Sequence, residues 1–228
     1  RGPAAPTLAC QYAPRAITLD MHLPDMDGWR VLDRLQQDLS SRHVPVCVIT
    51  TGDTRERAYG CGAMAFLDKA GDAAGEEGLR AFMAQLHQYA SRPQRKLLVS
   101  MADAAARQAF VELVAGDALQ VVVVTPERLL ASLSQGGIDA VVLDDGHRAT
   151  DPEALHDALA GQATLGRLPV LLLSQSEERP AALASAGDEH LAVEVTASVP
   201  ELFDAALRTL HQPLKQLPPE RRQLLENL

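Results

Sequence analysis

The chain has 228 residues, 46% hydrophobic and 22% charged, enough apolar side chain for one large core or two small ones and too much for global disorder. A formal net charge of -9, with the basic residues scattered rather than striped, argues against nucleic acid or an anionic membrane surface as partner. No apolar run reaches the roughly 18 residues of a membrane-spanning helix, no secretory leader is visible, and three cysteines without metal-ligand spacing fit a reducing, cytoplasmic setting. In chain order, the patterning predicts a helix over 4–12 and a strand over 16–19 that runs into Asp20. A helix over 29–37, a strand over 45–49 and a helix over 54–60 follow, then a strand over 63–67 and a helix over 76–90. "SRPQR" (91–95) reads as a boundary with little flexible linker. Beyond it, strands are expected at 96–100, 120–124, 139–143, 169–173 and 191–194. Helical stretches follow each, at 103–115, 126–135, 151–160, 177–187 and 199–211. Short Val/Ile/Leu-rich runs alternating with longer helical ones are the pattern of an α/β fold, a parallel sheet covered by helices on both faces. The tail, "LKQLPPERRQLLENL", reads as a short amphipathic closing helix after Pro218-Pro219, with a partner-docking helix as the sharper alternative.

An internal repeat organises these elements. "AITLD" (16–20) and "AVVLD" (140–144) both end an apolar run in acid, and Asp20 and Asp144 stand 144 − 20 = 124 residues apart. Pro45 and Pro169, and the hydroxyls Thr50 and Ser174, recur at the same offset. Three agreements at one spacing point to duplication. Subtracting 124 from Thr125 gives position 1. The first copy is therefore expected to lack its first strand, first helix and second strand in this chain. Those elements are expected to precede Arg1 in a longer parent or to be supplied by another chain.

Parallel α/β sheets place their sites at the carboxyl ends of the strands. Asp20, Thr50 and Lys69 (in "AFLDK") should converge there. A carboxylate, a hydroxyl and an ammonium at adjacent strand ends suit phosphoryl transfer. The carboxylate is the nucleophile, and the other two hold the transferred oxygens as charge shifts. A hard divalent cation, most plausibly Mg²⁺, would offset the charge and would need further carboxylates. Taken singly, Asp20 reads as a turn carboxylate, Thr50 as a helix cap and Lys69 as solvated surface; it is their spacing together that favours a site. Asp25 and Asp27 read as residues that shape the turn into the next helix, with Pro24 and Gly28 fitted to it. Trp29 and Phe66 read as packing residues first, and Cys47 as a small core residue.

"LDMHLPDMDGWRVLDRL…VPVCVITTGD…RERAYGCGAMAFLDKA" resembles the receiver domain of two-component signalling over about residues 4–90. The resemblance implies a flavodoxin-like (βα)5 fold of strand order 2-1-3-4-5. It implies Asp20 as phosphoacceptor, Thr50 as switch hydroxyl, Lys69 as the phosphoryl-contacting lysine and Phe66 as the switching aromatic. The metal ligands it implies are Asp20 and the backbone carbonyl of His22, together with an acidic pair after the first strand that this chain does not contain. Ala70 departs from the family, which usually has proline there. The second copy resembles a receiver that has lost its chemistry, a pseudo-receiver. Met101 and Ala102 replace the acidic pair, and Asp103 survives as a helix cap. Asp144 and Ser174 keep the acceptor and hydroxyl positions, while the offset puts Val193 at the lysine position with Glu194 beside it. The expected organisation is a receiver over 1–92, a pseudo-receiver over 96–212 and a helical tail over 213–228, as in the C-terminal part of hybrid sensor histidine kinases. Such a receiver accepts a phosphoryl group from a histidine kinase or histidine phosphotransfer domain, and it can form homodimers. The competing expectation is a phosphorylation-independent scaffold or dimerisation module. A hydrolase using Asp20 would need a second acid two residues on, where His22 stands.

Overall fold

The computed structural model describes residues 2–52, 54–71, 75–146, 151–163, 165–176, 183 and 190–227. They divide into two compact units, Arg1–Arg92 and Pro93–Leu228.

The first unit opens on a 3-10 turn, Gly2–Ala4, that runs into helix α1, Ala5–Tyr12. Strand β1, Ile17–Leu19, leads through a loop into helix α2, Gly28–Gln37. Strand β2, Val46–Thr50, helix α3, Arg55–Gly60, strand β3, Ala65–Asp68, and helix α4, Glu76–Ser91, complete it. The sheet is parallel, in the order β1-β2-β3. Val31, Leu32 and Leu35 lie on one stripe of α2 and are fully buried against Leu19, Val46, Val48 and Phe66. Each such burial contributes about 1.5–3 kcal/mol, and together they seat α2 over the sheet directly behind the β1 end.

Gly28 holds that seat for a reason of space. Its backbone is not in the left-handed region. A Cβ there would stand 2.5 Å from Met21 Cα and 2.6 Å from the Asp20 carbonyl oxygen. Closeness to the Asp20 loop, and not conformational freedom, therefore requires glycine.

The second unit holds strand β4, Arg95–Ser100, helix α5, Ala104–Val114, and strand β5, Leu119–Val124. A 3-10 turn, Pro126–Arg128, leads into the short helix α6, Leu129–Leu133. Strand β6, Ala140–Asp144, helix α7, Pro152–Ala160, and strands β7, Leu168–Leu173, and β8, Leu191–Thr196, follow. Helix α8, Val199–Thr209, a 3-10 turn, Leu214–Gln216, and helix α9, Pro219–Glu226, close the unit. All five strands are parallel, in the order β5-β4-β6-β7-β8. Period-two alternation splits the core between the two faces. Leu97, Val99 and Val142 pack with Phe110 and Phe203 of α5 and α8. Leu98, Val141 and Leu143 pack with Leu129, Leu133 and Leu155 of α6 and α7.

One expected helix is shorter, one lies outside the described residues, and the tail forms its closing helix packed on the second unit. The helix expected over 126–135 is an α-helix only from Leu129 to Leu133: Pro126–Arg128 form a 3-10 turn before it, and Gly136 and Gly137, both at φ 74, stand just beyond it. The helix expected over 177–187 lies outside the described residues apart from Leu183. The tail is no separate piece. Leu214, Leu217, Leu224 and Leu225 pack on the α5/α8 cluster, and Arg221 Nη1 donates to the Ala115 carbonyl at 2.6 Å.

Asp103 caps α5, accepting from the N–H groups of Ala105 and Ala106 at 2.9 and 3.0 Å. Replacing Asp103 with alanine should lower stability by about 1 kcal/mol. The urea midpoint should fall with the slope unchanged; an unmoved midpoint would remove the cap from the account.

Candidate functional site

The first unit's site is assembled at the carboxyl ends of three parallel strands. The Ile17↔Val46 and Thr50↔Asp68 registers align those ends, and the Lys69 N–H donates to the Thr50 carbonyl at 2.7 Å. Asp20 follows β1 directly, Thr50 ends β2 and Lys69 follows β3. The Lys69 ammonium is hydrogen-bonded and ion-paired to Asp20 Oδ2, so two residues 49 apart in the chain meet at one rim. The other carboxylate oxygen, Oδ1, accepts from the His22 N–H at 3.0 Å. Burial is the largest single influence on the Asp20 carboxyl and pushes it up. The Lys69 hydrogen bond, the His22 N–H, the Lys69 charge and the Thr50 hydroxyl together outweigh burial and hold it below its ordinary value. The result is an ionised, one-third exposed carboxylate with a cation fixed beside it.

The loop from Met21 to Asp27 holds this arrangement open. His22 and Asp27 form an antiparallel bridge, and the Gly28 N–H donates to the Met21 carbonyl at 3.1 Å. Asp27 caps α2 through the Trp29 N–H at 3.1 Å. Asp25 accepts from the Gly2 N–H at 3.2 Å. Both acids shape the turn, and neither faces Asp20 as a partner in any contact found among the described residues. Phe66 is buried in the core with the Arg55 guanidinium 5.4 Å from its ring centre. Arg57, two residues on and on the other side of the helix, sits 4.2 Å over the ring of Trp29. Helix α3 is thereby attached through cation–π contacts both to the strand ring and to the helix behind the acid.

Two features of the site exceed the sequence reading. The His22 imidazole reaches Thr50, with Nδ1 3.1 Å from Oγ1. The resemblance names only the His22 carbonyl, and because the chain leaves β1 at Leu19 and bends at Met21, no strand alternation signals the reach of the ring to Thr50. Arg55 and Arg57 carry no sequence signal beyond their helical phase.

A cation fits poorly here. Mg²⁺ demands octahedral oxygen coordination, usually with more than one carboxylate. Asp20 is a single carboxylate already engaged by Lys69, the His22 carbonyl adds one oxygen, and no group of three or more His, Cys, Asp or Glu that could hold a metal ion occurs among the described residues.

The second unit repeats the frame with different contents. Asp144 is buried, and both its oxygens are taken by backbone: Oδ2 by the Asp103 N–H at 2.9 Å and Oδ1 by the Gly146 N–H at 3.0 Å. Ser174 Oγ donates to Asp145 Oδ2 at 2.9 Å. A Cβ on Gly146 would stand 2.4 Å from the Ala102 Cβ, so the space between the β4 and β6 ends is closed.

The lysine position needs correction. Ile17↔Val46 and Val141↔Val170 keep the offset, 141 − 17 = 170 − 46 = 124. Cys47 pairs with Ala65 but its counterpart Leu171 pairs with Glu194, and 194 − 65 = 129. Five extra residues precede β8, so the counterpart of Lys69 is 69 + 129 = 198, Ser198, not Val193 or its neighbour Glu194. Ser198 caps α8 through the Glu201 N–H. Glu194 lies mid-strand and accepts from Arg208 Nη2 at 2.6 Å.

Residues 1–75 match the family described as response regulator receiver domain. A response regulator receiver domain is present near the N-terminus. The same region is 42% identical over 71 residues to Response regulator PleD of Caulobacter vibrioides, in strain NA1000 / CB15N and in strain ATCC 19089 / CIP 103742 / CB 15. That match covers 30% of this chain and 16% of the relative's length. A solved structure of a two-component system response regulator/GGDEF domain protein aligns at TM-score 0.40 and 20% identity, over 89% of this chain and 81% of its own, a likeness that carries no argument. The receiver is an α/β fold with a parallel sheet, and its presence implies two-component phosphoacceptor signalling. Receiver domains generally bind Mg²⁺ at an acidic pocket and interact with histidine kinases or phosphotransfer proteins. Among the described residues no helix is long and apolar enough to cross a membrane.

Proposed function

We propose that the receiver takes a phosphoryl group on Asp20 from a phosphohistidine and changes conformation in response. The observation that carries this is the Lys69 ammonium on the Asp20 carboxylate at the rim where β2 presents Thr50. An Asp20 oxygen attacks phosphorus, the P–N bond breaks, and its electron pair returns to the departing imidazole, which takes a proton. Lys69 loses its carboxylate partner and holds a phosphoryl oxygen instead, and Thr50 donates to another. The added charge of about -1.5 to -2 draws Thr50 inward, and Phe66 follows into the space it leaves. Arg55 and Arg57 on α3 connect that motion to the surface of residues 54–75.

The second unit is proposed as a flavodoxin-like pseudo-receiver that is not phosphorylated. Backbone N–H groups occupy both Asp144 oxygens, Ser198 replaces the lysine, and Gly146 on Ala102 closes the cation space. The curated relatives bear the name of a response regulator, so that is the parent proposed here in preference to a hybrid histidine kinase. Mg²⁺ would then require ligands beyond those described. The scaffold reading rests on the closed second site alone and would leave the Asp20–Lys69 pair without a task.

Treating the full-length protein with acetyl phosphate and Mg²⁺ should add one phosphoryl group. The Asp20→Asn variant should lose it and Asp144→Asn should keep it. Intact labelling of Asp20→Asn, or no labelling of the parent protein, would overturn the assignment and leave the scaffold.

A further inference from the structure

The phosphoacceptor reading leaves the His22 imidazole without a task, although it touches the switch hydroxyl. Thr50 is 1% exposed, and a buried hydroxyl needs partners. His22 Nδ1 supplies one at 3.1 Å, and the same nitrogen stands 3.9 Å from Asp20 Oδ1. The His22 side chain is 72% exposed, so little packing dictates where its ring lies. Its backbone is fixed instead, by the bridge to Asp27 and by its N–H on Asp20 Oδ1. The imidazole therefore stands over the mouth of the site with Thr50 tied beneath it.

We propose that His22 is a positioning residue: it restrains the Thr50 hydroxyl in the unphosphorylated receiver and must release it before a phosphoryl group on Asp20 can be held. A threonine hydroxyl has one proton and two lone pairs. In the tautomer where Nδ1 accepts, the hydroxyl proton is spent on His22 and is withheld both from Asp20, whose carboxyl it otherwise helps to hold down, and from a phosphoryl oxygen. In the tautomer where Nδ1–H donates, a lone pair tethers the oxygen at its resting place. Either way the inward motion of Thr50 breaks one hydrogen bond made only in the resting state. The restraint opposes switching, so it lowers the affinity of the site for a phosphoryl group by a fixed factor. It acts through Thr50 and not through the acid itself.

This rests on the phosphoacceptor reading, and the test separates the two. The probe is beryllofluoride, a tetrahedral mimic of the phosphoryl group that binds reversibly, titrated against the full-length protein in the presence of Mg²⁺. His22→Ala should tighten beryllofluoride about fivefold, the factor that one ordinary hydrogen bond contributes. His22→Asn, whose amide can restore a hydrogen-bonding atom near Nδ1, should return toward the wild-type affinity. In a Thr50→Ala background, His22→Ala should change nothing, because the bond it removes is already gone. Unchanged or weaker binding by His22→Ala overturns the restraint, as does a fivefold gain that persists without Thr50. A wild-type protein that binds no beryllofluoride overturns the phosphoacceptor reading itself.

Discussion

Replacing Lys69 with methionine should slow phosphoryl transfer to Asp20 by about 10²-fold or more while leaving the fold in place. Methionine keeps the length and apolar stem of the side chain, so the change is confined to the ammonium that touches Asp20 Oδ2. That ammonium is asked to meet the transferred oxygens as negative charge moves onto them, and no other lysine or arginine is found on Asp20 among the described residues. The pH dependence should change as well. In the wild type, Lys69 contributes both a hydrogen bond and its charge to holding the Asp20 carboxyl below 3.8, against burial that raises it. Without Lys69 the burial remains and two of the opposing influences vanish, so the acid limb of the labelling rate should move to higher pH. The linked stability has the corresponding sign. A carboxyl whose folded value is depressed stabilises the fold above its unfolded value of 3.8, and that stabilisation disappears as pH falls through the folded value. Lys69→Met should therefore flatten the acid side of the stability profile. Labelling at the wild-type rate with an unmoved acid limb would mean that Lys69 is only surface charge.

Gly28→Ala should be the most damaging small substitution in the receiver. Its methyl would have to occupy space 2.5 Å from Met21 Cα and 2.6 Å from the Asp20 carbonyl oxygen, both backbone atoms that no rotamer can move. Either α2 shifts off the sheet, opening the contacts of Val31, Leu32 and Leu35, or the loop after β1 is pushed outward and carries Asp20 away from Lys69. We expect a loss of about 1–3 kcal/mol. We also expect labelling of Asp20 to be lost at temperatures where the variant is still folded. Gly60→Ala is the control, since nothing stands within 4 Å of the Cβ it would add and its helical setting favours alanine. A Gly28→Ala protein that melts and labels like the wild type would mean the loop is looser than described.

Much of this architecture is legible before any coordinates. Asp20, Thr50 and Lys69 can be named because each ends or follows an apolar run, and parallel strands align their carboxyl ends whatever helices lie between. Asp103 reads as a cap because an acid before a helical stretch has orphan N–H groups to satisfy, whereas Asp27 reads only as part of the turn into α2. What escaped depends on distances that a sequence does not carry. A constant offset of 124 pairs Asp144 with Asp20 and Ser174 with Thr50, and the spacing from β6 to β7 repeats that from β1 to β2. It misplaces the lysine counterpart because five residues inserted before β8 are invisible until Leu171 is seen opposite Glu194. Gly28 reads as a turn glycine, while its actual constraint is the backbone of Asp20 and Met21 at the start of the same loop. The stack of Arg57 on Trp29 joins helices separated by a strand, which no local periodicity predicts.

If Asp20 is the phosphoacceptor, it becomes an acyl phosphate. Labelling the full-length protein with acetyl phosphate, reducing the adduct with borohydride and mapping the resulting homoserine by peptide mass spectrometry locates it directly. Homoserine at position 20, with Asp144 unmodified, is the result expected. Homoserine at position 144, or at neither position in protein that is folded, contradicts it.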